Sequence, residues 1–107
     1  MRRGDLVTIA VSGDYGKPRP ALVVQSDAFE ALPSVTVLPL TSDIHNEHLI
    51  RITVNPTPEN GLRAISQVMI DKAMTVPQSR IGELIGQIDA ESLQAVGAAL
   101  GRFLGVT

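Results

Sequence analysis

Apolar residues in the first eighty positions come in short, β-branched runs separated by Pro, Gly and Asp, a pattern of strands joined by turns. The runs predict strands over Leu6 to Val11, Ala21 to Gln25, Val35 to Leu40, Leu49 to Val54 and Ala64 to Ile70. Between the first two lies Ser12-Gly13-Asp14-Tyr15-Gly16-Lys17-Pro18-Arg19-Pro20, a loop by its Gly and Pro content. Pro18 and Pro20 fix φ on both sides of Arg19 and so hold that guanidinium on a stiff segment. The polar stretches Thr41 to His48 and Asn55 to Gly61 read as connections.

The period changes in the last quarter. From Asp89, a side chain suited to an N-cap, Leu93, Val96, Leu100 and Phe103 or Leu104 recur at three- and four-residue intervals, which makes one apolar stripe on a helix. Gly97, Gly101 and Gly105 fall every fourth residue along it. Either another backbone packs closely there, across a subunit interface for example, or these are small residues the helix tolerates. Strands followed by a helix argue for a mainly β, α+β or barrel-like fold rather than a doubly wound one.

Composition narrows the function. At 107 residues the chain is expected to form one domain, 1–107. The absence of cysteine removes disulfides, Fe–S clusters, thiolate zinc sites and cysteine nucleophiles, and points to a reducing cytoplasm. No secretion signal is evident, and the segment Leu93 to Val106 is shorter than the roughly 18 apolar residues of a membrane span. A net charge of −2 argues against a generally cationic coat, yet seven of the nine basic residues are Arg, whose planar fork suits phosphate.

Few residues are placed for chemistry. His45 and His48 have an H-x-x-H spacing but sit in a predicted loop, where solvated histidines are the ordinary reading. Asp14, Asp27 and Asp43 flank strands, match no known metal loop and suit turns and caps. Neither a dinucleotide fingerprint nor a G-K-[ST] phosphate loop occurs. What remains is Arg19, just before the second strand, and Thr41, at the end of the third. A guanidinium and a hydroxyl brought together by an antiparallel sheet suit the extra negative charge of a phosphodiester transition state, although either residue also serves as an ordinary loop or strand-end residue.

Three ordered motifs sharpen this picture: Arg3-Gly4-Asp5-Leu6-Val7, Gly16-Lys17-Pro18-Arg19-Pro20-Ala21-Leu22-Val23-Val24, and Leu38-Pro39-Leu40-Thr41-Ser42. Together with Ser66 to Pro77 and Arg80-Ile81-Gly82, they resemble the MazF/PemK family of toxins from bacterial toxin–antitoxin systems over nearly the whole chain. The resemblance implies a small SH3-like barrel of the MazF/PemK and CcdB toxin type closed by a C-terminal helix. It further implies a cytoplasmic homodimer, a cognate antitoxin, and cleavage of single-stranded RNA without a metal or other cofactor, through attack of the ribose 2′-hydroxyl. On the matching positions, Arg19 and Thr41 are catalytic, with Asp14 standing near where many relatives carry Glu. Tyr15, Lys17, Ser42 and Lys72 are placed to bind RNA, Lys72 standing where some relatives have Gln. The loops Thr41 to His48 and Asn55 to Gly61 are expected to flank the groove.

Two other functions compete. A toxin resembling CcdB shares the fold but poisons DNA gyrase, and would leave Arg19 and Thr41 without a chemical task. A peptide-binding SH3-like module needs an aromatic-lined groove, for which Tyr15, Phe29 and Phe103 are poor provision.

Overall fold

A computed structural model of the chain describes residues 1–10 and 17–107. The described elements are β1 (Asp5–Ile9), β2 (Arg19–Val23), β3 (Ser34–Thr41), β4 (Arg51–Val54), β5 (Ser66–Met69), β6 (Met74–Pro77), β7 (Ile81–Gln87) and α1 (Ala90–Leu104). Short 3₁₀ turns lie at Asp27–Phe29, Ile70–Lys72 and Gln78–Arg80. The strands form one antiparallel sheet in the order β4-β5-β3-β2-β1-β7, with β6 also pairing β3. All five predicted strands exist, with ends shifted by no more than two residues; Val11 of the first lies outside the described residues. Two further strands, β6 and β7, complete the sheet. The mainly β architecture with one C-terminal helix is the one expected.

Successive side chains of a strand face opposite sides of the sheet, and here both sides are covered. In β1, β2 and β3 the even-numbered residues Leu6, Leu22, Leu38 and Leu40 join Val68, Ile70, Val96 and Ala99 in a core beneath α1. Odd-numbered Val7, Ile9, Ala21, Val23, Val35 and Val37 join Val76 in a second core on the other face. Double coverage explains why these strands read as continuous apolar runs rather than as alternating ones.

Helix α1 begins as its sequence dictates: the Asp89 side chain accepts the Ser92 amide at 2.9 Å, and hydrogen bonds from Ser92 hold the Asp89 carboxyl below its ordinary pKa. The three helix glycines are accounted for within the chain. Gly97 faces the end of the Arg3 side chain, Gly101 faces Thr107, and Gly105 is the left-handed C-cap. No helix among the described residues is long and apolar enough to cross a membrane.

The Arg3-Gly4-Asp5 motif builds a corner. Gly4 adopts φ 97°, the buried Asp5 carboxylate accepts the Arg2 amide at 2.9 Å and the Gln87 side chain at 3.2 Å, and the Arg3 guanidinium donates to the Val24 carbonyl. This ties the start of β1 to the ends of β2 and β7.

Candidate functional site

The register of β2 against β3 pairs Ala21 with Pro39, Leu22 with Leu38 and Val23 with Val37. Continued by two residues along the same face, it sets Arg19 opposite Thr41. Both line a pocket of about 240 Å³ together with Ile9, Pro39, Leu40, Met69 and Met74. Ile9 is the β1 partner of Arg19, and Met74 packs on the second core, so the pocket is the open end of that core. The two residues predicted to act together, separated by 22 positions in sequence, therefore share one cavity with an apolar floor.

Arg19 is the exposed first residue of β2. Pro18 and Pro20, its neighbours, face the other way and line a second pocket of about 650 Å³ with Thr8, Leu62, Arg63, Glu83 and Ile85. The alternation of the pleat thus gives Arg19 and the prolines separate sides. Thr41, half-buried at the end of β3, accepts the Asp43 amide through Oγ1 at 3.0 Å.

The sheet extends this row of side chains. Thr41 pairs with Gln67 on β5, and Gln67 with Thr53 on β4, and directly paired residues share a face. Gln67 is 3% exposed. Its Oε1 accepts the His45 amide at 2.9 Å, and its Nε2 donates to the His45 carbonyl at 2.8 Å and to Thr53 Oγ1 at 3.2 Å. The polar connection after Thr41 consequently folds back over the sheet. Gln67 lies within a motif quoted above, and an amide amid Val68, Met69 and Ile70 was the sequence signal that it is buried for its hydrogen bonds.

Other expected residues take varied places. Lys17 and Ser42 are exposed, next to the strand ends that carry Arg19 and Thr41. Lys72 is exposed in the turn between Met69 and Met74, with Nζ 3.7 Å from Asp71 Oδ2. Asp14 and Tyr15 lie outside the described residues. His45 and His48 are exposed loop residues, with His45 Nε2 3.2 Å from Asp43 Oδ2. Asp27 accepts the Arg3 amide at 2.7 Å and pairs with Arg2 at 3.0 Å, which makes it a brace for the N-terminus. Among the described residues no three His, Asp or Glu side chains are grouped to hold a metal. In the segment Asn55 to Gly61, the Glu59 carbonyl accepts the Gln87 amide of β7 at 2.9 Å, and Gly61 lines the pocket that Pro18 and Pro20 also line.

Arg51 and Asp71 form an ion pair beside Met69, with side chains 12% and 20% exposed. Burial alone would raise the Asp71 pKa, but the hydrogen bond from Arg51 and the charges of Arg51 and Lys72 outweigh it and hold the carboxyl below its ordinary value.

Comparison with known proteins adds the following. Residues 2–104 match the model of a family described as PemK-like, MazF-like toxin of type II toxin–antitoxin systems. A probable endoribonuclease MazF of Mycolicibacterium smegmatis is 45% identical over 107 residues, 99% of this chain and 98% of that one. Among solved structures, the Mycobacterium tuberculosis toxin MazF-mt6 superposes with a TM-score of 0.80 at 25% identity, covering 94% of this chain and 96% of that one. A MazE–MazF complex from Deinococcus radiodurans gives 0.79 at 26%, covering 98% and 95%.

Proposed function

The chain belongs to the PemK-like, MazF-like family of type II toxin–antitoxin toxins, and from that premise we propose that it is an endoribonuclease that cuts single-stranded RNA at the Arg19–Thr41 pocket, within a single domain spanning 1–107. The observation that carries this reading is the shared cavity. It offers one fixed cation and one hydroxyl donor over an apolar floor, the provision a phosphodiester needs where its charge grows.

In the reaction, the ribose 2′-oxygen forms a bond to the adjacent phosphorus and gives up its proton, while the bond to the 5′-oxygen breaks and that oxygen takes a proton. The products are a 2′,3′-cyclic phosphate and a 5′-hydroxyl. Arg19 holds the added negative charge of the five-coordinate phosphorus. With a pKa above 12 it is a poor proton donor, and its contribution is electrostatic. Thr41 donates its hydroxyl proton to a phosphate oxygen. Asp14, from the segment leading to Arg19, is the carboxylate that orients the RNA or receives the 2′-hydroxyl proton. Lys17, Ser42 and Lys72 hold the strand, and Tyr15 stacks on a base. The balance of atoms calls for no metal or other cofactor.

The family reading extends to the assembly. The toxin works in the cytoplasm as a homodimer, and a cognate antitoxin covers the RNA site. Leu84, 58% exposed on the edge strand β7, supports a partner surface there.

The test is incubation of the purified protein and of Arg19→Ala with a long single-stranded RNA in excess EDTA, with the cut ends mapped. Cuts at a short recurring sequence, with cyclic-phosphate ends, are expected from the parent. Arg19→Ala should be slower by about 10²- to 10³-fold with its melting curve unchanged. A folded parent that leaves RNA intact removes the nuclease reading in favour of a gyrase poison, and cleavage seen only with added Mg²⁺ removes the metal-free route.

A further inference from the structure

The transverse row Thr41–Gln67–Thr53 places a buried amide directly beside one of the two residues of the pocket. A Gln side chain has one carbonyl and two N–H groups to satisfy. Here all three are engaged: two on the backbone of a single residue, His45, and one on Thr53. The pair of bonds to His45 imitates a backbone bridge between strands, so the loop after β3 is held down as though it were one more short strand.

That loop in turn acts on Thr41. Two hydrogen bonds from Gln67 fix the backbone of His45, and two residues earlier the Asp43 amide points at Thr41 Oγ1. A hydroxyl that accepts an N–H retains its own proton to donate elsewhere, and the direction of that proton is restricted by the bond it has accepted.

From this chain of contacts we infer that Gln67 is a positioning residue for RNA cleavage, which sets the Thr41 hydroxyl as a donor by fixing the loop of residues 42–48. The inference rests on the nuclease reading above. It treats the imidazole of His45 as incidental, since the grip is on its backbone. It also explains a hydrophilic side chain enclosed at the rim of an apolar core, where an unsatisfied amide would be destabilising.

The experiment uses a short RNA containing the parent's mapped cut site, and an analogue with a 2′-deoxy sugar at that site that binds but does not react. Cleavage rate at saturating protein, affinity for the analogue and melting temperature are measured for the parent, Gln67→Met, Gln67→Glu, Thr41→Val and Thr41→Val/Gln67→Met. Gln67→Met should cleave about 10- to 100-fold more slowly, as misplacement of a reacting group predicts, with analogue affinity within about threefold of the parent. Gln67→Glu retains the acceptor and loses the donors, and should fall between the two.

The decisive comparison is the double variant. If Gln67 acts through Thr41, the two losses do not add, and Thr41→Val/Gln67→Met is no slower than Thr41→Val. Should Gln67→Met melt below the assay temperature, the same cycle is read with Gln67→Glu. Cleavage by the folded Gln67 variants within about twofold of the parent, or losses that multiply in full, overturns the inference. A parent that does not cut RNA removes the nuclease reading and this inference with it, whereas a parent that cuts while the Gln67 variants cut equally well leaves that reading standing alone.

Discussion

At the scale of single residues, the chain uses its charges sparingly. Arg51 and Asp71 are the clearest case of a charged pair withdrawn from water, next to a methionine that lines the pocket. The Asp71 carboxyl in the folded chain ionises below its ordinary value near 3.8. Its contribution to stability is therefore complete above that value and fades as pH falls through the lower folded one. Asp71→Asn should be clearly less stable than the parent near neutral pH, and the difference between their urea midpoints should shrink as pH approaches 3. A constant difference across that range would show that the ionised carboxyl is not what matters. Arg19 and Thr41 were legible as a pair through the motifs that carry the family resemblance, since residue type and spacing alone suit an ordinary loop and strand end as well as a phosphate site. Gln67 was visible but mute: its role depends on His45, 22 residues away, and no local pattern encodes that contact.

At the scale of elements, strands buried on both faces announced themselves as β-branched runs, and α1 by its cap and stripe. β7 did not. Its pairing with β1 shifts register between Leu6 and Val7 and again between Val7 and Ile9, so Ile81, Leu84 and Ile85 follow no period of two. Of its two glycines, Gly82 and Gly86, the second is there for space. A methyl group on it would stand 2.4 Å from the Glu59 carbonyl oxygen and 2.6 Å from the Asn60 carbonyl. Both are backbone atoms in a segment locked by the buried Asn60, whose Oδ1 accepts the Thr57 and Leu62 amides at 3.0 Å. Gly86→Ala should therefore cost about 1–3 kcal/mol. Gly97→Ala meets only the movable end of Arg3, at 3.0 Å, and in a helix gains up to about 1 kcal/mol from propensity. Chemical denaturation of both variants checks the contrast, and equal losses would contradict it.

At the scale of the whole molecule, β4, β6 and β7 each have a single partner among the described strands, and β7 carries the exposed Leu84 on the side away from the Arg19 pocket. A dimer formed through that region should show twice the 11.4 kDa chain mass by light scattering, and Leu84→Asp should lower the association. A parent that remains at chain mass at micromolar concentration would contradict the dimer. The segment Asn55 to Gly61 was legible as a connection, but the bond between its Glu59 carbonyl and the Gln87 amide of β7 joins residues 28 positions apart and has no local signature.

The division of β1, β2 and β3 into odd and even positions has a consequence for how this chain can change. Arg19 reaches its pocket by parity alone: odd residues of β2 share a side with Ala21 and Val23, and even ones with Leu22. Lengthening the chain by one residue between Pro20 and Ala21 would send the guanidinium to the side that Pro18 and Pro20 now face, and a second added residue would return it to its present side but about 7 Å further along the strand, past Thr41. Activity in this scaffold thus depends on the count of residues as much as on their identity, and can be lost with no side chain replaced.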